Sequence, residues 1–457
     1  MPRSGFGGVA QMRPDPTRQR IVLFGHFGAG NLGNEATLRA MVYNLRTHLP
    51  SAEISCVCSG PEKTASEYNI SAAPIRAPFP IWKLSRASGS EGEPGGSSNG
   101  TVCGAAAEAR RSLKAGAKAR ATLRICAYPL LEAYRWCKTI ATLNRKSSLV
   151  MTGTGMLGDY SLNYEIFRWA VIAKLCRCKL LFVSVGASPI RQPLRRWFVK
   201  AALKLADYRS YRDSSSKDYL EAIGLDVKND PVYPDVAFSL PRAVVPADDG
   251  NGRGGVVIGV GLVDYHSMAG RSPDDQVAYR DYLRSIACFV AAMLARDYAV
   301  RILIGDFVYD QGVRQDLKRA LEARGVIYED GRIIDTPAFS VDELLQQLSS
   351  LDIVVSSRFH NLVLALMLKK PVFAVSYHAE KFQPLMEGVG LSEFYYDIDH
   401  IDVDELIAKV VTLLENAPAI SVQTAQQTES YRIALDKQYE RMLKVLSAPI
   451  NPALAEA

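Results

Sequence analysis

No run of eighteen apolar residues occurs in the chain, so no segment of the sequence reads as a membrane span. The opening stretch MPRSGFGGVAQMRPDPTRQR lacks an apolar signal core, which speaks against secretion and for a cytoplasmic location. Strong charge imbalance is also missing. The formal net charge is only +6, which suits anionic partners in general. It falls short of the dense basic stripe of a nucleic-acid binder, and no nucleic-acid partner is expected. The eight cysteines include no C-x-x-C pair. Cys56/Cys58 and Cys176/Cys178 are C-x-C pairs that read as buried free thiols in a reducing compartment. No cluster has convincing metal-ligand spacing, so no metal site is expected.

What is present is alternation. At 457 residues the chain is too long for one ordinary core and suits two domains. Residues 1–20 read as a leader. Residues 21–240 alternate apolar strand runs with helical spacings and form a first α/β domain. A Gly/Ser/Ala-rich, charged insertion interrupts it at 85–120. The stretch PRAVVPADDGNGRGG, at 241–255, reads as a linker. A second alternating series fills 256–424, and 425–457 reads as a last helix with a tail. This pattern predicts two doubly wound, Rossmann-like parallel sheets facing a cleft.

The densest chemical signal is DIVVSSRFHNLVLALMLKKPVFAVSYHAEK, from Asp352 to Lys381. It predicts a strand, a sharp turn, a helix ended by Pro371, and a second strand. In such a unit the strand's carboxyl end meets the helix's amino end, where unpaired N–H groups attract anions. Ser356, Ser357, Arg358 and His360 fall at that junction. His360 suits general acid/base work because its ordinary pKa lies near neutrality; the plainer reading is a core or capping histidine. Arg358 suits a bidentate grip on phosphate or carboxylate; the plainer reading is an ion pair with a neighbour such as Asp352. Tyr377 and Lys381 follow the second strand, and Lys381 is either a phosphate partner or an ordinary exposed lysine.

Three more segments draw notice. GHFGAGNLGNEATL offers Gly25, Gly28, Gly30 and Gly33 with Asn31 and Asn34 as a tight loop over a ligand. A dinucleotide reading of that loop would need an acidic ribose partner, and Glu53 is the nearest candidate. TGTGMLGD ends in Asp159, either a group that orients or deprotonates a hydroxyl or a turn aspartate. YRDSSSKDYL places Arg212 before a helix start at which Asp213 reads as a cap. Arg191, Arg195 and Arg196 form a basic group that reads either as a glycan or diphosphate contact or as a solvated helix face.

Taken in order, these four segments resemble the polysaccharide pyruvyl transferase family. GHFGAGNLGNEATL is similar to its amino-terminal Gly-rich loop, with Asn34 where the family commonly carries Asp. TGTGMLGD is similar to its second Gly-rich loop. YRSYRDSSSKDYLEAIGL with PDVAF is similar to its Arg-Asp-x-x-Ser helix start and downstream Asp. SSRFHNLVLALMLKKPVFAVSYHAEK is similar to its Arg-x-His motif. The resemblance spans Ile21 to Leu391 and implies a GT-B-like fold. It implies transfer of pyruvate from phosphoenolpyruvate (PEP), a co-substrate with no further cofactor, onto two hydroxyls of a sugar as a cyclic ketal. The acceptor would be a cell-surface polysaccharide or a lipid-linked precursor. Apart from the resemblance, the mild positive charge and the basic helix after the insertion lead us to expect a peripheral contact with the inner membrane surface. His360 and Asp159 are then the catalytic candidates. Arg358, Arg212, Ser357, Lys381, Tyr377, Gly28, Asn31, Gly33 and Asn34 are the binding candidates. Two other readings stay open: a nucleotide-sugar glycosyltransferase of the same fold, and a non-catalytic sugar- or nucleotide-binding protein.

Overall fold

The computed structural model describes residues 19–77, 129–143, 147–153, 155–159, 161–244, 255–264, 273–328 and 331–448. The 85–120 insertion, most of the leader and most of the 241–255 linker lie outside the described residues.

The first half runs β1 (Arg20–Gly25), α1 (Leu32–His48), β2 (Glu53–Cys58), α2 (Pro61–Tyr68) and β3 (Ser71–Pro74). After the helix α3 at 129–142 come β4 (Ser147–Thr152), α4 (Asn163–Leu175) and β5 (Lys179–Val185). Then follow α5 (Pro193–Lys204), β6 (Tyr208–Tyr211), α6 (Ser214–Ala222) and a 3-10 turn at Val236–Ser239. The second half runs β7 (Val257–Leu262), α7 (Pro273–Leu294), β8 (Ala299–Ile304), α8 (Gln311–Glu322), β9 (Ile333–Ile334), α9 (Val341–Ser349) and β10 (Ile353–Ser356). It ends with α10 (Phe359–Met367), β11 (Val372–Ser376), α11 (Ala379–Gly388), β12 (Tyr395–Asp397), α12 (Val403–Glu415) and α13 (Ala417–Ser447).

Both halves form all-parallel six-stranded sheets. Their orders are β3-β2-β1-β4-β5-β6 and β12-β11-β10-β7-β8-β9. Read from β9, the second order repeats the first. Helices cover both faces of a parallel sheet, so its central strands are buried on both sides and read as continuous apolar runs. IVLFG in β1 and IVVS in β10 are buried throughout. Two Rossmann-like domains thus follow from the alternation seen in the sequence.

Local chemistry sets the helix starts that matter. Asn31 caps α1 by accepting the Asn34 N–H, Glu35 sits in the first turn, and Arg46 and His48 sit in the last. Asp213 caps α6 by accepting the Ser216 N–H at 2.7 Å. The last helix starts at Ala417 rather than near Ala425, and it returns to the first domain. There Lys179 Nζ donates to the carbonyls of Val445 and Leu446, and Ser184 Oγ donates to Gln438.

The two halves are joined at the loop before α1. Leu32 N donates to Gly305 O at 2.9 Å, Phe307 N donates to Gly30 O at 3.2 Å, and Asn31 Nδ2 reaches Asp306. One hydrophobic core runs from α1 and β1 through Val236–Leu240 into the second sheet.

Candidate active site in the interdomain cleft

In each sheet the connections reverse direction between the two central strands, β1 and β4 in the first and β7 and β10 in the second. Loops that part in opposite directions leave a crevice at the strands' carboxyl ends. The loops after β1, β4, β5, β6, β10 and β11 share one cavity of about 400 Å³. Of the residues singled out in the sequence, Asn31, Gly33, Asn34, Asp159, Arg212, Arg358, His360, Tyr377 and Lys381 line it.

Two of the binding candidates are not there. Gly28 has φ +76°, and a Cβ on it would stand 2.1 Å from the Gly60 carbonyl oxygen. Its N–H donates to Glu35 Oε1 at 2.6 Å. Gly28 therefore closes a backbone crossing and does not face the cleft. Ser357 turns into the second domain, where its hydroxyl meets the Tyr282 hydroxyl at 3.2 Å. Ser356 instead fixes the turn, accepting the Arg358 N–H at 3.0 Å.

Arg358 is buried and grips Asp310, not Asp352. Its Nε donates to Asp310 Oδ2 at 2.9 Å, and its Nη2 donates to Oδ1. Asp352 accepts the Val257 N–H at the far end of the strand. Asp310 is fully buried and also accepts the N–H groups of Asp264, Gly305 and Asp306. Burial works against the Arg358 charge, but the Asp310 carboxylate outweighs it and holds the guanidinium protonated more firmly than usual. Arg358 is thus ion-paired, as the plainer reading had it but with Asp310 in place of Asp352, and it also lines the cleft.

Arg212 and Lys381 share one ring. Each places its cationic group 4.7 Å from the Phe359 centroid. Arg212 Nε and Nη2 hold Asp213 Oδ2 at 2.8 and 2.7 Å, while its buried Nη1 has no hydrogen-bond partner. Gly186 makes room for it, since a Cβ there would stand 3.0 Å from the guanidinium carbon. Burial, then the nearby Arg212, lower the Lys381 pKa to about 7.

His360 stands among these cations. Burial first, then Lys381, Arg212 and Arg358, push its pKa well below the ordinary imidazole value, so it is neutral at pH 7. Its Nε2 lies 3.7 Å from Asp235 Oδ2, which has no hydrogen-bond partner. Burial raises the Asp235 pKa, and its Oδ1 caps the Val236–Ser239 turn through Ala237 N. On the other side, Nδ1 faces Gly33 so closely that a Cβ at Gly33 would stand 1.9 Å away. The first turn of α1 in one domain is therefore fitted to the histidine of the other.

Asp159 lies on the first-domain wall, where Oδ1 accepts the Arg191 N–H at 2.9 Å and its carbonyl accepts from Arg195. Asn34 donates its side-chain amide to His26 O at 3.0 Å. Glu53 pairs with Arg20 at the start of β2, the end away from the cleft, which removes the ribose partner of a dinucleotide reading. Glu35 is buried with Oε2 unpartnered, and burial raises its pKa to about 7. Among the described residues no group of His, Cys, Asp and Glu is arranged to hold a metal ion.

Sequence reasoning missed Asp310 and gave Asp235 no role. Asp310 lies 48 positions from Arg358 and has no local signature. Asp235 had one signal, its place in the PDVAF segment. The assembled site offers two guanidinium cations, a lysine whose pKa is lowered to about 7, one unsatisfied guanidinium donor and a neutral imidazole beside a carboxyl group. Such a site can hold a small anion of more than one negative charge and move a proton at its edge.

Comparison with known proteins gives a consistent answer. A model of the polysaccharide pyruvyl transferase family matches residues 31–379. The amylovoran biosynthesis protein AmsJ of Erwinia amylovora is 25% identical over 169 residues, 37% of this chain and 40% of that protein. The match spans less than half the length of that relative. Among solved structures, a glycosyltransferase from Rickettsia africae aligns with 95% of this chain and all of its own length, with TM-score 0.54 and 10% identity. UDP-GlcNAc 2-epimerase from Neisseria meningitidis aligns with 93% of this chain and 99% of its own, with TM-score 0.53 and 12% identity. At such identities the likeness is one of fold: two Rossmann-like domains across a cleft.

Proposed function

The chain belongs to the polysaccharide pyruvyl transferase family, and on that premise we propose that it moves pyruvate from PEP onto two hydroxyls of one sugar, closing a cyclic ketal. The acceptor is a cell-surface polysaccharide or its lipid-linked precursor. PEP is a co-substrate and no further cofactor takes part.

The balance of the reaction sets what the residues must do. The PEP methylene gains a proton and becomes a methyl group. Two C–O bonds form at the adjacent carbon as phosphate leaves. One hydroxyl proton replaces the proton delivered to the methylene, and the other departs with phosphate. Arg212, Arg358 and Lys381 take the phosphate and carboxylate. His360 exchanges the proton, with Asp235 as the carboxyl group that orients it. Asp159 faces the acceptor side and positions a sugar hydroxyl.

One observation carries the reading: a neutral histidine beside two guanidinium groups and Lys381, with a buried Arg212 donor still unsatisfied. Burial is the first cause of the lowered His360 pKa, and an anion bound there offsets the second, the repulsion from the neighbouring cations. The His360 pKa rises on binding, and the imidazole becomes an acid when donor is present. The test is product formation. Incubation with PEP and a saccharide acceptor gives a product heavier by one ketal-linked pyruvate, with phosphate released in equal amount. His360→Asn yields neither. Product formation by that variant at the wild-type rate, or transfer from a nucleotide sugar instead, would overturn the proposal.

A further inference from the structure

Helix α5 exposes apolar side chains beside a cationic rim. Val199, Ala202 and Leu203 face the core, yet Leu194 and Trp197 are 64% and 55% exposed. Their spacing of three puts them on one face. Trp197 is held in place, its ring 5.2 Å from Phe167 and 5.4 Å from Phe198. Phe198 meets Tyr164 at 5.3 Å, and the Tyr164 hydroxyl accepts Trp136 Nε1 at 3.4 Å. The aromatic seam thus runs from α5 over α4 to α3, on which Leu130 and Ile140 are also exposed.

On α5 itself the charge has one sign, while the acids of the seam, Glu132 and Glu165, are paired with arginines. Arg191, Arg195, Arg196, Lys200 and Lys204 lie on α5 and its lead-in, and residues 191–204 include no acid. The same lead-in reaches the cleft, where Arg191 is a lining residue and its N–H holds Asp159.

We propose that this face docks on the surface of an anionic phospholipid bilayer. Trp197 and Leu194 enter the boundary between headgroups and acyl chains, and the basic residues cover the anionic headgroups. A second copy of the chain is the weaker occupant. A two-fold contact would set the same basic helix against itself, which like charges oppose. The inference rests on the proposed function for its purpose: a lipid-linked acceptor would meet the cleft mouth at the bilayer.

Flotation of the full chain with vesicles tests it. Binding is expected with phosphatidylglycerol-rich vesicles, weak with pure phosphatidylcholine, and reduced by salt. Leu194→Ser with Trp197→Ser, or Arg196→Glu, lowers the bound fraction at least about ten-fold, the loss of one to two basic or apolar contacts. Bromine-labelled acyl chains quench the wild-type tryptophan emission, and Trp197→Phe removes most of that quenching without unfolding the helix. Failure of the wild type to float with anionic vesicles would overturn the inference. So would unchanged flotation of the Ser double variant. A dimer in light scattering that the same variants dissociate, with no vesicle binding, would assign the face to a second copy. PEP binding measured on the same variants stays at the wild-type level. A wild type that binds PEP but does not float with anionic vesicles therefore refutes the docking surface alone, and a wild type that floats but does not bind PEP refutes the proposed function alone.

Discussion

Gly33→Ala is the smallest change that tests whether the two domains assemble one site. The added Cβ would stand 1.9 Å from His360 Nδ1, 2.2 Å from Cγ and 2.6 Å from Cβ. Ordinary contact between carbon and nitrogen needs about 3.5 Å, so the imidazole must retreat by about 1.5 Å. It has little room, because it is buried with Asp235 at 3.7 Å on its other side. The helix cannot simply yield either, since Leu32 N is bonded to Gly305 O across the domains. Overpacking of this kind costs about 1–3 kcal/mol, partly offset by about 1 kcal/mol from the better helix propensity of alanine. Stability therefore falls little. Catalysis suffers more, since a misplacement of about 1 Å at a reacting group costs on the order of a hundred-fold. Phosphate release from PEP in the presence of acceptor should show that loss in kcat. PEP affinity should change only a few-fold, because Arg212 and Lys381 are untouched. A Gly33→Ala variant with wild-type kcat would refute the reasoning.

Arg358→Ala should destabilise the fold by about 3–5 kcal/mol, because it strands the fully buried Asp310 carboxylate; denaturant unfolding monitored in the second domain checks this. Lys381→Met should abolish PEP binding yet raise the melting temperature at pH 7. The folded-state pKa of Lys381 is lowered to about 7, so its stability contribution is present above the unfolded value and is lost as pH falls toward 7. A melting temperature at pH 7 below that of the wild type would count against the burial argument. Glu35 behaves in the opposite sense. Its pKa is raised to about 7, so stability is full below pH 4.5 and is lost as pH rises through 7. Glu35→Gln should therefore stabilise at pH 8, on the order of 3 kcal/mol at most, and have little effect at pH 5. Melting curves at the two pH values decide it.

Much of this architecture is written locally. Apolar strand runs, helix spacing and the glycine-rich turns place both sheets, and the Arg-x-His junction lands at the carboxyl end of β10 as its pattern requires. The side of the chain on which each residue faces is harder to read. Ser356 and Ser357 are adjacent, but alternation at the strand end sends one to the turn and the other to Tyr282. Long-range partners leave no local trace. Asp310 is the partner of Arg358, and Asp235 is the neighbour of His360, only because loops from different strands meet. Gly33 reads in sequence as loop flexibility; its φ is ordinary, and the lack of a side chain matters because His360 arrives from the other domain. Gly28 and Gly30, with φ +76° and +102°, are the conformational glycines of that loop.

PEP titration calorimetry, run in buffers of different ionisation enthalpy, tests the central claim most directly. The account predicts binding to the wild type with uptake of a proton near pH 7.5, since the anion recharges His360 and Lys381. Proton uptake should shrink in His360→Asn, and affinity should fall at least about ten-fold in Arg212→Gln, the loss of one charged hydrogen bond. Binding with no proton uptake, or with full affinity in Arg212→Gln, would contradict it.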